Sequence, residues 1–114
     1  MPRRETRPRP RGSPAPAFAA LGDVTRLRLV TQLCARGRLS TVRLTESADM
    51  SRQAVTKHLR ALEDAGLVRS DRAGRERVWE LRPRRIAEIV RYLDQISAQW
   101  DQALLRLRRM VEEE

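Results

Sequence analysis

Apolar positions along the chain follow two rhythms, and the switch between them divides it into parts. From Phe18 onward Leu27, Val30, Leu33 and Cys34 return at helical spacing. Asp23 stands ahead of them as a helix N-cap and Gly37 behind them as a helix stop, so the pattern predicts a helix over 24–36. Phe18 and Leu21 predict a short helix before it. Ser40 or Thr41 can cap a second short helix reaching about residue 48, with Leu44 and Ala48 on one face. A tight turn follows at Asp49 and Met50. Ser51 then caps a helix expected to run to Ala65 and to end at Gly66. The order is helix, short turn, helix.

After Gly66 the rhythm changes to strands. Residues 67–72 and 75–81 carry Leu67, Val68, Val78, Trp79 and Leu81 and are joined around Ala73 and Gly74, a hairpin. Pro83 suits the first turn of a last helix. Along it Ile86, Ile89, Val90, Leu93, Ile96, Trp100, Leu104, Leu107 and Val111 recur at steps of three and four, one apolar seam on a long helix. The expected fold is mainly α with a small β-hairpin, a winged helix-turn-helix that dimerises through its terminal helices. Its expected parts are a basic, Pro- and Arg-rich disordered tail over 1–17, a DNA-binding core over 18–82 and a dimerisation helix over 83–114.

Successive residues of the helix after Ser51 turn by about 100°, which gathers Val55, Leu59 and Leu62 on one side and Gln53, Thr56, Lys57 and Arg60 on the other. One side packs. The other carries groups fit for base edges: Gln pairs bidentately with adenine, Arg with guanine, and Thr donates, accepts or meets a thymine methyl. Recognition helices present their N-terminal residues to bases, which favours Arg52, Gln53, Thr56 and Lys57 as readers and assigns Ser51 and Arg60 to phosphate. Arg72, Arg75 and Arg77 on the hairpin complete a DNA-binding set as wing arginines. His58 lies about 60° from Val55 on the same wheel, beside the packing face, and reads as a partly buried helix residue in reach of phosphate.

Composition sharpens this picture. Lys and Arg total 24 against 15 acidic residues in 114, a formal charge of +9, so the partner is expected to be a polyanion. The excess is concentrated: residues 36–85 hold thirteen basic and seven acidic side chains, whereas the chain from residue 86 on holds four basic and six acidic. Residues 1–17 combine five prolines with five arginines and carry almost no large apolar side chain. Two readings of them stand, a solvated extension and an arm that follows phosphates or enters a minor groove.

No apolar run approaches the roughly 18 residues that span a bilayer, and no signal-peptide core follows the arginines, so a cytoplasmic protein without membrane contact is expected. One cysteine, Cys34, excludes an internal disulfide. Its place among Leu27, Val30 and Leu33 makes it a small buried hydrophobe, the alternative being a redox switch between subunits. One histidine and one distant cysteine supply no nucleophile, base and orienting group, so no enzyme and no cofactor are expected.

Three runs carry a family likeness: residues 21–30 (LGDVTRLRLV), 50–59 (MSRQAVTKHL) and 62–68 (LEDAGLV). The chain resembles the ArsR-type repressor family over residues 18–113. The resemblance implies a dimeric winged-helix repressor whose DNA affinity is lowered by a metal, a redox change or another signal. Metal-sensing members carry a Cys-x-Cys pair where this chain has Ser40 and Val42. Others bind zinc on the terminal helix, where this chain offers only carboxylates such as Glu88, Asp94 and Asp101, a poor donor set for zinc. No metal site is therefore expected, and the inducer is unknown.

The seam residues Ile89, Leu93, Ile96, Trp100, Leu104 and Leu107 are too many for so small a domain to cover, and a second copy is the simplest cover. Two recognition helices would then meet successive major grooves of double-stranded DNA, on an inverted repeat with half-sites about 34 Å apart. Two rival readings remain: a winged helix for double-stranded RNA, and a protein-interaction module with merely solubilising arginines.

Overall fold

The computed structural model describes residues 13–113. Seven elements follow the expected order, with one short strand added: α1 (Ala15–Leu21), α2 (Val24–Arg36), β1 (Leu39–Ser40), α3 (Thr41–Glu46), α4 (Arg52–Asp64), β2 (Val68–Ala73), β3 (Glu76–Leu81) and α5 (Pro83–Glu112). The hairpin is thus one strand wider than expected. Leu39 and Ser40 pair antiparallel with Trp79 and Val78, giving the sheet order β1-β3-β2. A pair of residues is too short to show a period of two, which is why β1 is invisible in the sequence pattern.

Local chemistry sets most boundaries. The side chains of Asp23, Ser40 and Ser51 accept the backbone N–H groups of Arg26, Arg43 and Ala54 at 3.0, 3.1 and 3.1 Å, each satisfying one orphan donor of a helix start. At the end of α4, Gly66 takes φ +81°, Gly66 N donates to the Glu63 carbonyl and Leu67 N to that of Leu62. Those two bonds close a Schellman turn that drops Leu67 and Val68 straight into the core. The Leu67 carbonyl accepts Arg82 N at 2.9 Å and closes the base of the hairpin.

The core gathers one face from every element. Leu29 and Leu33 of α2, Leu44 of α3, Val55, Leu59 and Leu62 of α4, Leu67, Val68 and Trp79 of the wing, and Ile89 of α5 are all buried. Each buried leucine contributes about 1.5–3 kcal/mol over an exposed one. Phe18 of α1 meets Tyr92 of α5 with ring centroids 5.9 Å apart, and Arg85 donates to the Ser13 carbonyl at 2.8 Å, so α5 is anchored along its first turns. Among the described residues no helix is long and apolar enough to cross a membrane.

Three expectations are corrected. Helix α1 starts at Ala15 and Ala17 is fully buried, so the expected tail boundary at residue 17 moves back; the rest of the tail, residues 1–12, lies outside the described residues. Cys34 is exposed and Leu27 is 48 % exposed, so the buried stripe of α2 keeps Leu33 and the partly buried Val30 but runs through Leu29 in place of those two. Apolar side chains surround much of α2, and the packing of α4 and β3 selects which of them go inside. Ile89, expected in the dimer seam, is 6 % exposed and belongs to the chain's own core.

Candidate nucleic-acid interface

Helix α4 is held by its buried edge and leaves the opposite edge free. Val55, Leu59 and Leu62 have no exposed surface, while Arg52, Gln53, Lys57 and Arg60 are exposed and Thr56 is half-buried between them. The first turn contains no acidic residue. The N-terminal part of α4 is therefore positively charged at the side chains and at its backbone N–H groups, which suits a phosphate backbone. Ser51 is exposed at the cap; its oxygen accepts Ala54 N and its hydroxyl proton remains available to an acceptor.

His58 is the expected site residue that the fold takes elsewhere. It lies on the flank of α4 away from Gln53 and Lys57, and its Nδ1 stands 3.7 Å from the Asp23 carboxylate at the start of α2. Only a quarter of its side chain is exposed. It therefore faces the start of α2 and not the exposed edge that carries Gln53 and Lys57. The Asp23 carboxyl is held below its ordinary value chiefly by the Arg26 backbone N–H it accepts, with the nearby His58 and Arg26 charges helping and partial desolvation opposing.

The wing divides its arginines. Arg72 and Arg75 are exposed at the tip, where Gly74 takes φ +67° to make the reversal. Arg77 pairs directly across the strands with Arg72, a like-charge juxtaposition, and is half-buried. Its Nη1 donates to Ser70 Oγ at 3.0 Å, and Ser70 Oγ donates to Glu63 Oε2 at 3.0 Å. The other Glu63 oxygen stands 3.8 Å from Arg60 Nη1. Sequence reasoning placed Arg60 and Arg77 in the set and missed the carboxylate between them. Nothing local to Glu63 signals a partner that lies on another element.

Thr41 locks the wing to the helix pair: its hydroxyl accepts the Trp79 indole N–H at 2.8 Å and donates to the Arg77 carbonyl at 3.3 Å. Thr41 thus ties α3, which packs on α4, to strand β3 of the wing.

The positions where the resemblance would place a Cys-x-Cys metal pair carry no thiolate. Ser40 Oγ is buried and committed to Arg43 N, its neighbour Val42 has no donor atom, and among the described residues no three His, Cys, Asp or Glu side chains converge.

Comparison with known proteins agrees with this geometry. A helix-turn-helix domain model matches residues 21–71. The HTH-type transcriptional regulator Rv2034 of Mycobacterium tuberculosis is 36% identical over 102 residues, covering 90% of this chain and 92% of that protein. An uncharacterized HTH-type transcriptional regulator of Bacillus subtilis, YuzN, is 49% identical over 67 residues, covering 54% of this chain and 73% of its own length. Among solved structures, an ArsR-like transcriptional regulator from Rhodococcus sp. RHA1 superposes with a TM-score of 0.66 at 38% identity, over 84% of this chain and 90% of that one.

Proposed function

Because the chain belongs to the ArsR family of winged helix-turn-helix, DNA-binding transcriptional regulators, we propose that it acts as a homodimeric repressor on an inverted-repeat operator. The observation that carries the reading is the free edge of α4, where Arg52, Gln53 and Lys57 stand exposed opposite a fully buried Val55, Leu59 and Leu62. Arg52, Gln53, Thr56 and Lys57 read base edges, Ser51 and Arg60 hold phosphate, and Arg72, Arg75 and Arg77 serve the wing on flanking backbone.

The dimer is supported by α5. Its seam starts inside the core at Ile86 and Ile89 and continues into solvent, where Leu93 is 46 % exposed, Trp100 66 %, Leu104 59 %, Leu107 55 % and Val111 70 %. From Leu93 to Val111 the stripe runs about 27 Å along the helix, too long an apolar strip for a solitary soluble domain. A second α5 packed antiparallel or parallel to it covers the strip with the same side chains, as twofold pairing requires. In this reading 18–82 forms the reading core and 83–114 the dimerisation helix, now entered through α1 at Ala15. Occupation of an operator at a promoter excludes polymerase, hence repression.

The function is non-enzymatic: the single histidine is engaged with Asp23, and Cys34 lies on another helix. A direct test against the RNA-binding rival is a gel shift in which matched duplex DNA and duplex RNA compete. Displacement by DNA alone supports the proposal; equal displacement by RNA refutes it.

A further inference from the structure

Two of the basic side chains assigned to the DNA surface are linked through one carboxylate of the same surface, Arg60 beside it and Arg77 by way of Ser70. Glu63 sits in the last turn of α4 with one oxygen 3.8 Å from Arg60 Nη1, and the other receives the Ser70 hydroxyl at 3.0 Å. Ser70 in turn accepts Arg77 Nη1 at 3.0 Å. The chain Arg60, Glu63, Ser70, Arg77 thus joins the recognition helix to both wing strands. It also gives Arg77 a hydrogen-bond partner of its own opposite the like charge of Arg72.

We propose that Glu63 is a positioning residue that sets DNA specificity, restraining Arg60 and, through Ser70, Arg77, so that neither contacts phosphate indiscriminately. The inference rests on the DNA-binding reading above. Its physical basis is competition. A phosphate oxygen competes with the Glu63 carboxylate for the Arg60 guanidinium 3.8 Å from it, and with Ser70 Oγ for the Arg77 Nη1 donor, so a phosphate contact is made against an existing attraction. At a fitting site the contacts of Gln53 and Thr56 align the backbone and offset that exchange. On random sequence nothing offsets it, so the carboxylate subtracts more from non-specific than from specific binding.

The test compares wild type, Glu63→Gln and Ser70→Ala on a random duplex and on a duplex selected by the wild-type chain, each across a salt series. Asp64→Asn is the control, because it neutralises the adjacent exposed carboxylate and changes the net charge equally. The expected result for Glu63→Gln is a salt dependence on random duplex steeper by about 0.9 to 1.8, one or two added phosphate contacts. One such contact corresponds to a gain of up to about tenfold near 0.1 M salt, relative to 1 M. The gain on the selected duplex is smaller, so the ratio of specific to random affinity falls.

Ser70→Ala releases the Arg77 branch alone and steepens the slope by about 0.9. An unchanged ratio in Glu63→Gln overturns the inference, as does an equal slope change in Asp64→Asn. A purely structural role for Glu63 is distinguished by weaker binding to both duplexes with no steeper slope, and that result also overturns it. The wild-type series separates this failure from that of the parent reading, since a chain indifferent to salt on every duplex refutes both.

Discussion

The indole N–H of Trp79 donates to the hydroxyl of Thr41 at 2.8 Å, joining a fully buried wing residue to the first position of α3 across 38 positions of sequence. Trp79 has no solvent to turn to, so this hydroxyl is what satisfies its only polar atom. Thr41 is therefore more than a helix-start residue. Its hydroxyl joins α3 to the wing strand that pairs with the one carrying Arg72.

Thr41→Val, which keeps shape and removes the hydroxyl, leaves the Trp79 N–H buried and unpaired. The expected cost is about 1–3 kcal/mol. Denaturant unfolding should show a lower midpoint with an unchanged slope, and Thr41→Ser should restore most of the loss.

Acid sensitivity should appear at Asp23. Its carboxyl lies below the ordinary value of 3.8 in the folded chain, first through the Arg26 backbone N–H and further through the His58 and Arg26 charges. A depressed folded-state value means that the unfolded chain takes up the proton more readily. The stabilisation is thus complete above the ordinary carboxylate range and fades as pH falls through 3.8 toward the folded value. Asp23→Asn keeps a capping side chain without a titrating group. Thermal melts of the two chains should converge on acidification, and a constant difference down to the lowest pH would refute the assignment.

Trp100→Glu and Leu93→Asp place charge in the exposed part of the α5 seam, where neither side chain belongs to the core. The fold should survive, as judged by an unchanged circular dichroism spectrum, while sedimentation reports monomers. Operator affinity should drop about 10²- to 10⁴-fold, the loss of linked binding at two half-sites.

Gln53→Ala and Thr56→Ala should each lower discrimination at particular base pairs by about 1–3 kcal/mol. Arg75→Ala should instead weaken all sequences alike and reduce the salt slope by about 1. Equal losses on specific and random duplexes for the first pair contradict their role as readers.

What the sequence displays and what it conceals separate along a physical line. Asp23, Ser51, Gly66 and Pro83 mark helix ends through bonds or dihedrals local to a few residues, and all four act in the structure where the sequence places them. The edge of α4 is equally legible, because 3.6-residue periodicity alone sorts Val55 from Gln53. Non-local choices are not. Which apolar residues of α2 go inside depends on the neighbours that meet them, so Leu29 is buried and Cys34 exposed against expectation. His58 faces Asp23, and Glu63 faces Ser70, only because α4 crosses α2 and abuts β2. Such pairs have no signature in spacing.

Two copies of this chain with their α4 edges on neighbouring major grooves leave a signature in the sequences they bind, and selection from a random duplex pool reads it. The expected product is an enriched inverted repeat whose half-sites lie about 34 Å, one helical turn, apart. Enrichment of an isolated, unrepeated half-site, or of no sequence at all, would contradict it.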